Sequence, residues 1–250
     1  MLTIGVLGGM GPAATLDFMA KALKAGDGAR EQDNVRLIVD CNPGVLDRNA
    51  ALAGEGPSPG PELAAMARGL EAAGADFMVM ACNAAHAWQG DIEAATALPF
   101  VSIVDEACRW LAAREPRGCR IGLMAAGACL DSGLYQNALA VAGLEAVTPA
   151  AAVMARFMDA LYRFKAGDLG PRPRAEMKAC ARMLIEAGAQ VILAACTEVP
   201  LLLEAGDLSV PFVDATEILA VRAVAYARGE PLPLRSAGSA LDHPRSCAGP

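Results

Sequence analysis

The 250-residue chain has few of the residues on which several classes of function depend. Aromatic residues make up only 4% of it, and it contains two histidines. Acidic residues outnumber basic ones by 28 to 21, so the net charge is −7. Because nucleic acids and anionic membrane surfaces attract basic proteins, we expect neither among the partners of this protein.

Long hydrophobic runs are also lacking. No stretch of about 18 residues is free of charged residues and helix breakers, so we expect no transmembrane helix. The apolar run at the N-terminus follows no basic segment and is interrupted by glycines and Pro12, so we expect no signal peptide. These features favour a cytoplasmic protein.

Cysteine, in contrast, is abundant. There is no Cys-x-x-Cys pair, and with two histidines the spacing of a zinc site is absent, so we expect no metal. A chain of this length needs no disulfides, which favours reduced thiols that are mostly buried as small apolar side chains. The question is whether two of them carry out chemistry. The eight cysteines are Cys41, Cys82, Cys108, Cys119, Cys129, Cys180, Cys196 and Cys247.

Short apolar runs alternate with helical patterns along the chain. Helices are predicted to begin near Ala13 and Leu134 and to cover residues 61–73 and 174–187. This alternation is typical of parallel sheets in an α/β architecture. The predicted strands cover residues 2–7, 35–39, 77–81, 100–104, 120–124 and 191–195.

An internal repeat predicts two similar Rossmann-like domains related by a pseudo-twofold axis. Residues 4–7 resemble 121–124, and 77–83 resemble 191–197, with similar spacing and a cysteine at each matching strand end. We expect residues 1–100 with about 212–230 to form the first domain and 101–211 the second. Residues 231–250, rich in Pro, Ser, Gly and Ala, are predicted to be a loosely ordered tail.

Cys82 and Cys196 are the strongest catalytic candidates. Each follows a predicted strand at its carboxyl end, where open α/β sheets bind ligands. Each also precedes a segment that can begin a helix, whose amides stabilise a thiolate. Two thiols facing each other across a cleft suit the inversion of a stereocentre, since one removes the α-proton and the other returns a proton on the opposite face. The neighbouring Asn83 and Thr197 are suited to binding a carboxylate or an ammonium group.

Other residues have both a functional and a structural interpretation. Arg48 lies in a loop after a strand, where it could bind a carboxylate in a bidentate manner or be an exposed surface residue. The glycine-rich loop at 8–12 precedes a helix and is suited to an anion. His86 either orients groups around Cys82 or forms structural hydrogen bonds. Lys165, in a helical stretch, reads from the residues alone as a surface lysine.

Five motifs together resemble the cofactor-independent aspartate/glutamate racemase family, and the match spans about residues 2–228. They are Gly8-Gly9-Met10-Gly11-Pro12 with Ala14-Thr15, Asn42-Pro43 with Asp47-Arg48, Cys82-Asn83 with Ala85-His86, Ser132-Gly133-Leu134-Tyr135-Gln136, and Cys196-Thr197-Glu198 with Pro200-Leu201-Leu202. The resemblance implies two similar α/β domains with the active site in the cleft between them. It further implies a homodimer and a reaction without PLP, metal or any other cofactor.

The resemblance also implies roles for individual residues. Cys82 and Cys196 become the two acid/base thiols. Arg48 and Lys165 match positions that hold the distal carboxylate of the substrate in aspartate-type enzymes. The positions that line the substrate pocket correspond to Met10, Asn83, Ala84 and Thr197.

The chain departs from the family at the pocket. Ala84 stands where the family has threonine, and Ala126, Ala128 and Cys129 stand in a loop that carries a threonine and a Gly-Thr pair in the family. At least two hydroxyls that anchor the substrate are therefore missing. A missing anchor in a buried polar site costs roughly 1–3 kcal/mol when its partner is left unpaired.

The sequence is compatible with three functions. The leading hypothesis is racemisation of an acidic amino acid, aspartate or possibly glutamate, by proton transfer between Cys82 and Cys196. The second is a related two-cysteine isomerase such as maleate isomerase, in which one cysteine adds to the double bond. The third is a non-catalytic protein with a degenerate pocket that binds a dicarboxylate, as the missing hydroxyls suggest.

Overall fold

The computed structural model describes residues 1–233, in which eight strands and ten α-helices alternate. The strands are β1 (Ile4–Gly8), β2 (Leu37–Cys41), β3 (Phe77–Met80), β4 (Phe100–Val101), β5 (Arg120–Met124), β6 (Glu145–Val147), β7 (Val191–Ala194) and β8 (Phe212–Asp214). The helices are α1 (Pro12–Gly26), α2 (Arg48–Leu52), α3 (Gly60–Ala72), α4 (Gln89–Ala95), α5 (Ile103–Ala112), α6 (Gly127–Asp131), α7 (Leu134–Val141), α8 (Ala151–Lys165), α9 (Pro171–Glu186) and α10 (Ala215–Ala227).

The strands form two parallel four-stranded sheets with the same strand order. The first has the order β2-β1-β3-β4 and the second β6-β5-β7-β8. The register of the central pairs also agrees, because Ile4 lies beside Phe77 in one sheet and Ile121 beside Val191 in the other. These are the segments that the internal repeat identified, so the predicted α/β fold with two similar halves is confirmed.

One apolar core joins the two halves. Side chains alternate between the faces of a strand, and in β1 Ile4 and Val6 contact this shared core, whereas Leu7 faces a second cluster under α3. Ile121 and Leu123 of β5 enter the same shared core from the second sheet. Because both faces of the central strands are covered, these strands carry no charged or polar side chain apart from the exposed Arg120 at the start of β5, as is usual for buried parallel strands.

Two edge strands were not predicted, and several predicted boundaries differ by one to three residues. The strand predicted at 100–104 ends at Val101, because the Ser102 hydroxyl accepts a hydrogen bond from the Asp105 amide at 3.3 Å and begins α5. The edge strands β6 and β8 were not predicted. β8 pairs with β7 of the second sheet, so the predicted return of the chain to the first domain at about 212 is wrong for residues 212–214.

The segment after β8 contacts both halves. Helix α10 packs against α1 of the first half, against α5, and against β7 of the second sheet. Of the predicted tail at 231–250, residues 234–250 lie outside the described residues, and Cys247 lies among them. Within residues 1–233, none of the helices has the length and apolar character needed to cross a membrane.

The glycine-rich loop after β1 approaches the end of β2 closely. Gly9 has a φ of +89°, and a Cβ atom there would lie 2.3 Å from the carbonyl carbon of Asn42. The Thr15 hydroxyl accepts from the Gly9 amide at 2.8 Å and donates to the Gly11 carbonyl at 3.1 Å, which fixes the loop on α1. The loop therefore requires glycine at position 9 for two reasons, the dihedral angle and the space.

We predict that Gly9→Ala destabilises the protein more than Gly74→Ala does. Gly74 has a similar φ of +91° but no atom within 4 Å of its Cβ position, so it reports the cost of the dihedral angle alone. The additional backbone clash at Gly9 should lower the free energy of unfolding by about 1–3 kcal/mol more. Urea unfolding of both variants measures this difference, and equal losses would contradict the steric explanation.

Candidate active site

The ends of the two central strands meet at one cavity. Cys82 follows β3 by two residues, and Cys196 follows β7 by two residues. Both side chains are buried, and both line a cavity of about 100 Å³ between the two halves. The predicted convergence of the two cysteines therefore occurs.

The segments that follow the cysteines differ from the expected helices. Residues 84–88 and 199–201 form short 3₁₀ helices rather than α-helices. The single 3₁₀ turn at 199–201 has few aligned amides, whereas residues 84–88 lead directly into α4, so the expected stabilisation of a thiolate by a helix dipole has little structural basis at Cys196.

The other predicted site residues also line this cavity. Their placement together is a finding, while their individual roles stay predictions. They are Met10, Arg48, Asn83, Ala84, Lys165 and Thr197.

A carboxylate that was not predicted as a site residue lies at the centre of the site. Glu198 is 2% exposed. Its Oε1 accepts from the Lys165 ammonium at 2.9 Å and from the Gly11 amide at 3.2 Å. Its Oε2 accepts from the Cys196 thiol at 3.2 Å and from the Thr197 hydroxyl at 3.3 Å. The sequence contained one signal for it, since Glu198 is a charged residue within an otherwise apolar segment.

Glu198 changes the interpretation of two candidates. Lys165 is the last residue of α8 and is exposed along part of its side chain, but its ammonium contacts the buried carboxylate, so it is more than a surface lysine. The glycine-rich loop was expected to bind an anion, and the Gly11 amide instead donates to the carboxylate of Glu198.

The electrostatics of the site follow from this arrangement. Burial raises the pKa of Cys196, the charge of Glu198 raises it further, and Lys165 partly opposes both. Burial by itself lowers the pKa of Lys165, but its attraction to Glu198 and the neighbouring thiols outweighs this, so the pKa is raised. Cys129, a third thiol in the cavity wall, has its pKa raised to about 12 by burial and by the proximity of Cys82.

Arg48 is held at the cavity by backbone contacts. It is the first residue of α2, and its Nη1 donates to the carbonyls of Val45 at 2.9 Å and Leu46 at 2.8 Å. The interpretation of Arg48 as a fully exposed surface residue is therefore wrong, because the side chain lines the cavity.

Asn83 has a buried donor without a protein partner. Its Oδ1 accepts from the Tyr135 hydroxyl at 2.5 Å, and within residues 1–233 its buried Nδ2 has no hydrogen-bond partner. Buried polar groups are nearly always paired, and an unpaired one requires an explanation. A substrate carboxylate or carbonyl in the cavity would supply the missing acceptor.

Asn49 connects the two halves beside the cavity, a role that no sequence pattern indicated. Its Nδ2 donates to the Tyr162 hydroxyl, and its Oδ1 accepts from the Ala128 amide, both at 3.0 Å. Asn49 thereby links α2 of the first half to α8 and α6 of the second. Since Arg48 precedes Asn49, these bonds also restrict where Arg48 lies.

His86 serves the structure rather than the chemistry. Its Nδ1 contacts the Cys82 carbonyl at 2.8 Å, and its Nε2 accepts from the Ile103 amide at 3.2 Å. These two contacts assign the neutral tautomer with the proton on Nδ1. They connect the segment after β3 to the start of α5, so the structural interpretation of His86 is confirmed.

The described residues form a second cavity and no cluster of metal ligands. In the part of the chain that the structure describes, no three His, Cys, Asp or Glu side chains are grouped as a metal site requires. A larger groove of about 430 Å³ lies between α5 and α7, and it is lined by neither Cys82 nor Cys196.

Comparison with known proteins identifies the family. The family described as Asp/Glu/Hydantoin racemase matches residues 7–223. The chain belongs to this family. It is therefore a racemase, an isomerase, as the motifs led us to expect.

The relatives agree with this assignment over nearly their full lengths. The chain is similar to an aspartate racemase from Picrophilus torridus, at 26% identity and a TM-score of 0.82, over 93% of this chain and 96% of the other. It is 25% identical over 230 residues to the broad specificity amino-acid racemase RacX of Bacillus subtilis (strain 168), over 87% of this chain and 94% of the other.

A third relative supports the fold alone. It is an aspartate racemase homologue from Pyrococcus horikoshii, with 23% identity and a TM-score of 0.71, over 91% of this chain and 100% of the other.

We predict that His86 makes the stability of this racemase depend on pH. Burial lowers the pKa of His86 from 6.5 to about 4, so below pH 6.5 the unfolded chain binds a proton that the folded protein does not. Stability is complete above about pH 6.5 and falls by about 3 kcal/mol as the pH drops towards 4.

Urea unfolding between pH 4.5 and 7.5 tests this prediction against a His86→Asn variant. Asparagine keeps a donor near the Cys82 carbonyl and cannot titrate, while every carboxylate stays in place as an internal control. The variant should lose less stability on acidification than the wild type, and identical losses would show that His86 is not responsible.

Proposed function

We propose that this racemase acts on an acidic amino acid, aspartate in preference to glutamate, by proton transfer at Cα between Cys82 and Cys196. The observation that supports it is the cavity itself, in which two thiols from equivalent strand ends meet beside the unpaired amide of Asn83. The small volume favours aspartate, which has one methylene group fewer than glutamate.

The cationic groups account for the preference for an acidic substrate. We assign the side-chain carboxylate to Arg48 and Lys165, since guanidinium and ammonium groups bind carboxylates strongly. An ammonium group has three donors, so the contact of Lys165 with Glu198 leaves others for a substrate. Asn83 and Thr197 bind the α-carboxylate and α-ammonium groups, and Met10 and Ala84 form part of the wall.

The proposed chemistry needs only the two thiols. The thiolate on one face removes the α-proton, and the thiol on the other face donates its proton to the opposite side of Cα. The two groups titrate as a coupled pair, because the reaction requires one charged and one neutral sulfur. We further propose, on the family resemblance, a cytoplasmic homodimer that uses no cofactor.

The two-thiol mechanism predicts that Cys82→Ser and Cys196→Ser each lower racemisation of aspartate by at least about 100-fold. A hydroxyl is a far weaker acid than a thiol, so it can neither form the base nor replace the acid. Polarimetry with L- and D-aspartate measures racemisation, and deuterium uptake at Cα in D₂O follows each half-reaction.

Cys180→Ser is the matched control, because Cys180 in α9 donates to the Val153 carbonyl at 3.6 Å, a contact that serine can also make. It should keep the wild-type rate. Full racemisation by either active-site variant would exclude the two-base mechanism. A covalent adduct of Cys82 with maleate would favour the isomerase alternative, and aspartate binding without exchange at Cα would favour a binding protein.

The missing hydroxyl at position 84 predicts a gain of function. Ala84 is half-buried in the cavity wall, and Ala84→Thr introduces the hydroxyl that the family has at this position. One additional hydrogen bond to the substrate contributes about 0.5–1.5 kcal/mol, so kcat/KM for aspartate should rise about 2- to 10-fold. Ala94→Thr, at an exposed position of α4, is the control. Unchanged or reduced kcat/KM in Ala84→Thr would contradict the proposed wall position.

A further inference from the structure

The two thiols of the site have different surroundings. The Cys196 thiol donates to the buried carboxylate of Glu198 at 3.2 Å. For the Cys82 thiol, no hydrogen-bond acceptor lies within reach in residues 1–233, and it is the carbonyl of Cys82 that contacts His86. The similar halves of the fold therefore present two chemically unequal sulfur atoms.

We propose that Glu198 is a positioning residue that keeps Cys196 protonated in the free enzyme, so that the enantiomer whose Cα–H faces Cys82 reacts directly from the resting form, with Cys82 as the base and Cys196 as the acid. The roles of base and acid rest on the function proposed above. The difference in protonation between the two sulfurs is independent of that function, because it can be measured without substrate.

The geometry supports this because the two protonation states of Cys196 interact oppositely with Glu198. A neutral thiol donates a hydrogen bond to Oε2, whereas a thiolate would place a second negative charge 3.2 Å from the same oxygen. Little water is present in a buried site to screen that repulsion. Lys165 offsets it only in part, because its ammonium contacts the other carboxylate oxygen, Oε1.

The remaining charged and titratable groups do not reverse this preference. Burial raises the pKa of Cys196 and the Glu198 carboxylate raises it further, whereas Lys165 and, to a smaller extent, a backbone hydrogen bond from the Glu198 amide lower it. The other titratable groups near the thiol are Tyr135 on α7, and Asp47, Arg48, Cys82 and Cys129 in the cavity wall. The carboxylate of Asp47 caps α2, since its Oδ1 accepts hydrogen bonds from the amides of Asn49 and Ala50.

The proton balance defines what Glu198 controls. In one turnover the Cα–H proton goes to Cys82 Sγ, and the Sγ–H proton of Cys196 goes to the opposite face of Cα. The product leaves Cys82 neutral and Cys196 as a thiolate beside Glu198. Transfer of one proton from Cys82 to Cys196, directly or through solvent, restores the starting form without net proton uptake. The other enantiomer reacts through the same steps in reverse, starting from the form with a Cys196 thiolate and a neutral Cys82. Glu198 lowers the population of that form and so favours the proton transfer that restores the resting form.

Alkylation by iodoacetamide, quantified for each cysteine by mass spectrometry across pH, tests the proposal on the full-length protein. The thiolate is the reacting species, so the midpoint of each pH profile reports protonation independently of how well the reagent reaches the site. In the wild type the midpoint for Cys196 should lie at least about one pH unit above that for Cys82, which is about a tenfold difference in thiolate fraction.

Two variants should move the Cys196 midpoint in opposite directions. Glu198→Gln removes the charge and should lower it, whereas Lys165→Met removes the compensating cation and should raise it. If the two residues had a purely structural role, both substitutions would shift the Cys196 midpoint in the same direction. Glu198→Asp keeps the charge and should retain a high midpoint.

Glu106→Gln is the matched control, because Glu106 is a 2%-exposed carboxylate paired with Arg109 and Arg222 outside the site. It should leave both midpoints unchanged. Equal wild-type midpoints for Cys82 and Cys196 would overturn the proposal, as would an unchanged Cys196 midpoint in a folded Glu198→Gln protein. If the Glu198→Gln protein does not fold, the proposal is tested by the wild-type midpoints and by the Cys196 midpoint of Lys165→Met. An inactive protein with the expected profiles would refute the proposed reaction and leave this inference intact.

Discussion

The buried carboxylate of Glu198 is the interaction on which the arrangement of the site depends. Burying an isolated carboxylate is very unfavourable, and the cost is offset only by charge pairing and several hydrogen bonds. Here the four donors come from three separate segments, namely the loop after β1, the end of α8 and the loop after β7. The carboxylate therefore fixes the glycine-rich loop of the first half against the second half and directs Lys165 inward. If one of these donors moved away, the buried charge of Glu198 would be left incompletely paired.

The two-sheet architecture explains why such a site lies between the halves. Each sheet has the same order of parallel strands, and one apolar core packs the sheets against each other. The carboxyl ends of β3 and β7 then open onto a single cavity, as expected for parallel sheets, in which ligands bind at the carboxyl ends of strands. The family assignment and the geometry agree on this point, since racemisation requires access to both faces of one carbon atom. In the proposed mechanism, Cys82 and Cys196, which line the same cavity, provide that access.

Local sequence patterns predicted the features that depend on interactions within a single segment, namely the central strands and the cysteines at their ends. The central strands are buried on both faces and therefore appear as continuous apolar runs, and the cysteines were located by the ends of those runs. The edge strands β6 and β8 have three residues each and too little apolar periodicity to be recognised. Glu198 meets Gly11 across 187 positions and Asn49 meets Tyr162 across 113, and no pattern within one segment carries such pairings. The contact of Lys165 with Glu198 could not be predicted for the same reason, because its partner lies in another segment.

Similar halves do not require equal thiols. The Cys82 side contains Asn83 paired with Tyr135, and the Cys196 side contains the carboxylate and ammonium pair of Glu198 and Lys165. The two enantiomers of a substrate have the same free energy in water, so the equilibrium constant is one and kcat/KM must be equal in the two directions, whatever the protein does. This requirement constrains the ratio of the rates and leaves the protonation of the free enzyme unconstrained. A racemase can therefore hold one sulfur neutral and still treat mirror images equally, because the proton balance is restored in the reset between turnovers. The asymmetry should appear in kcat and KM separately and in the reactivity of the sulfurs, and it cannot appear in the final composition of the mixture.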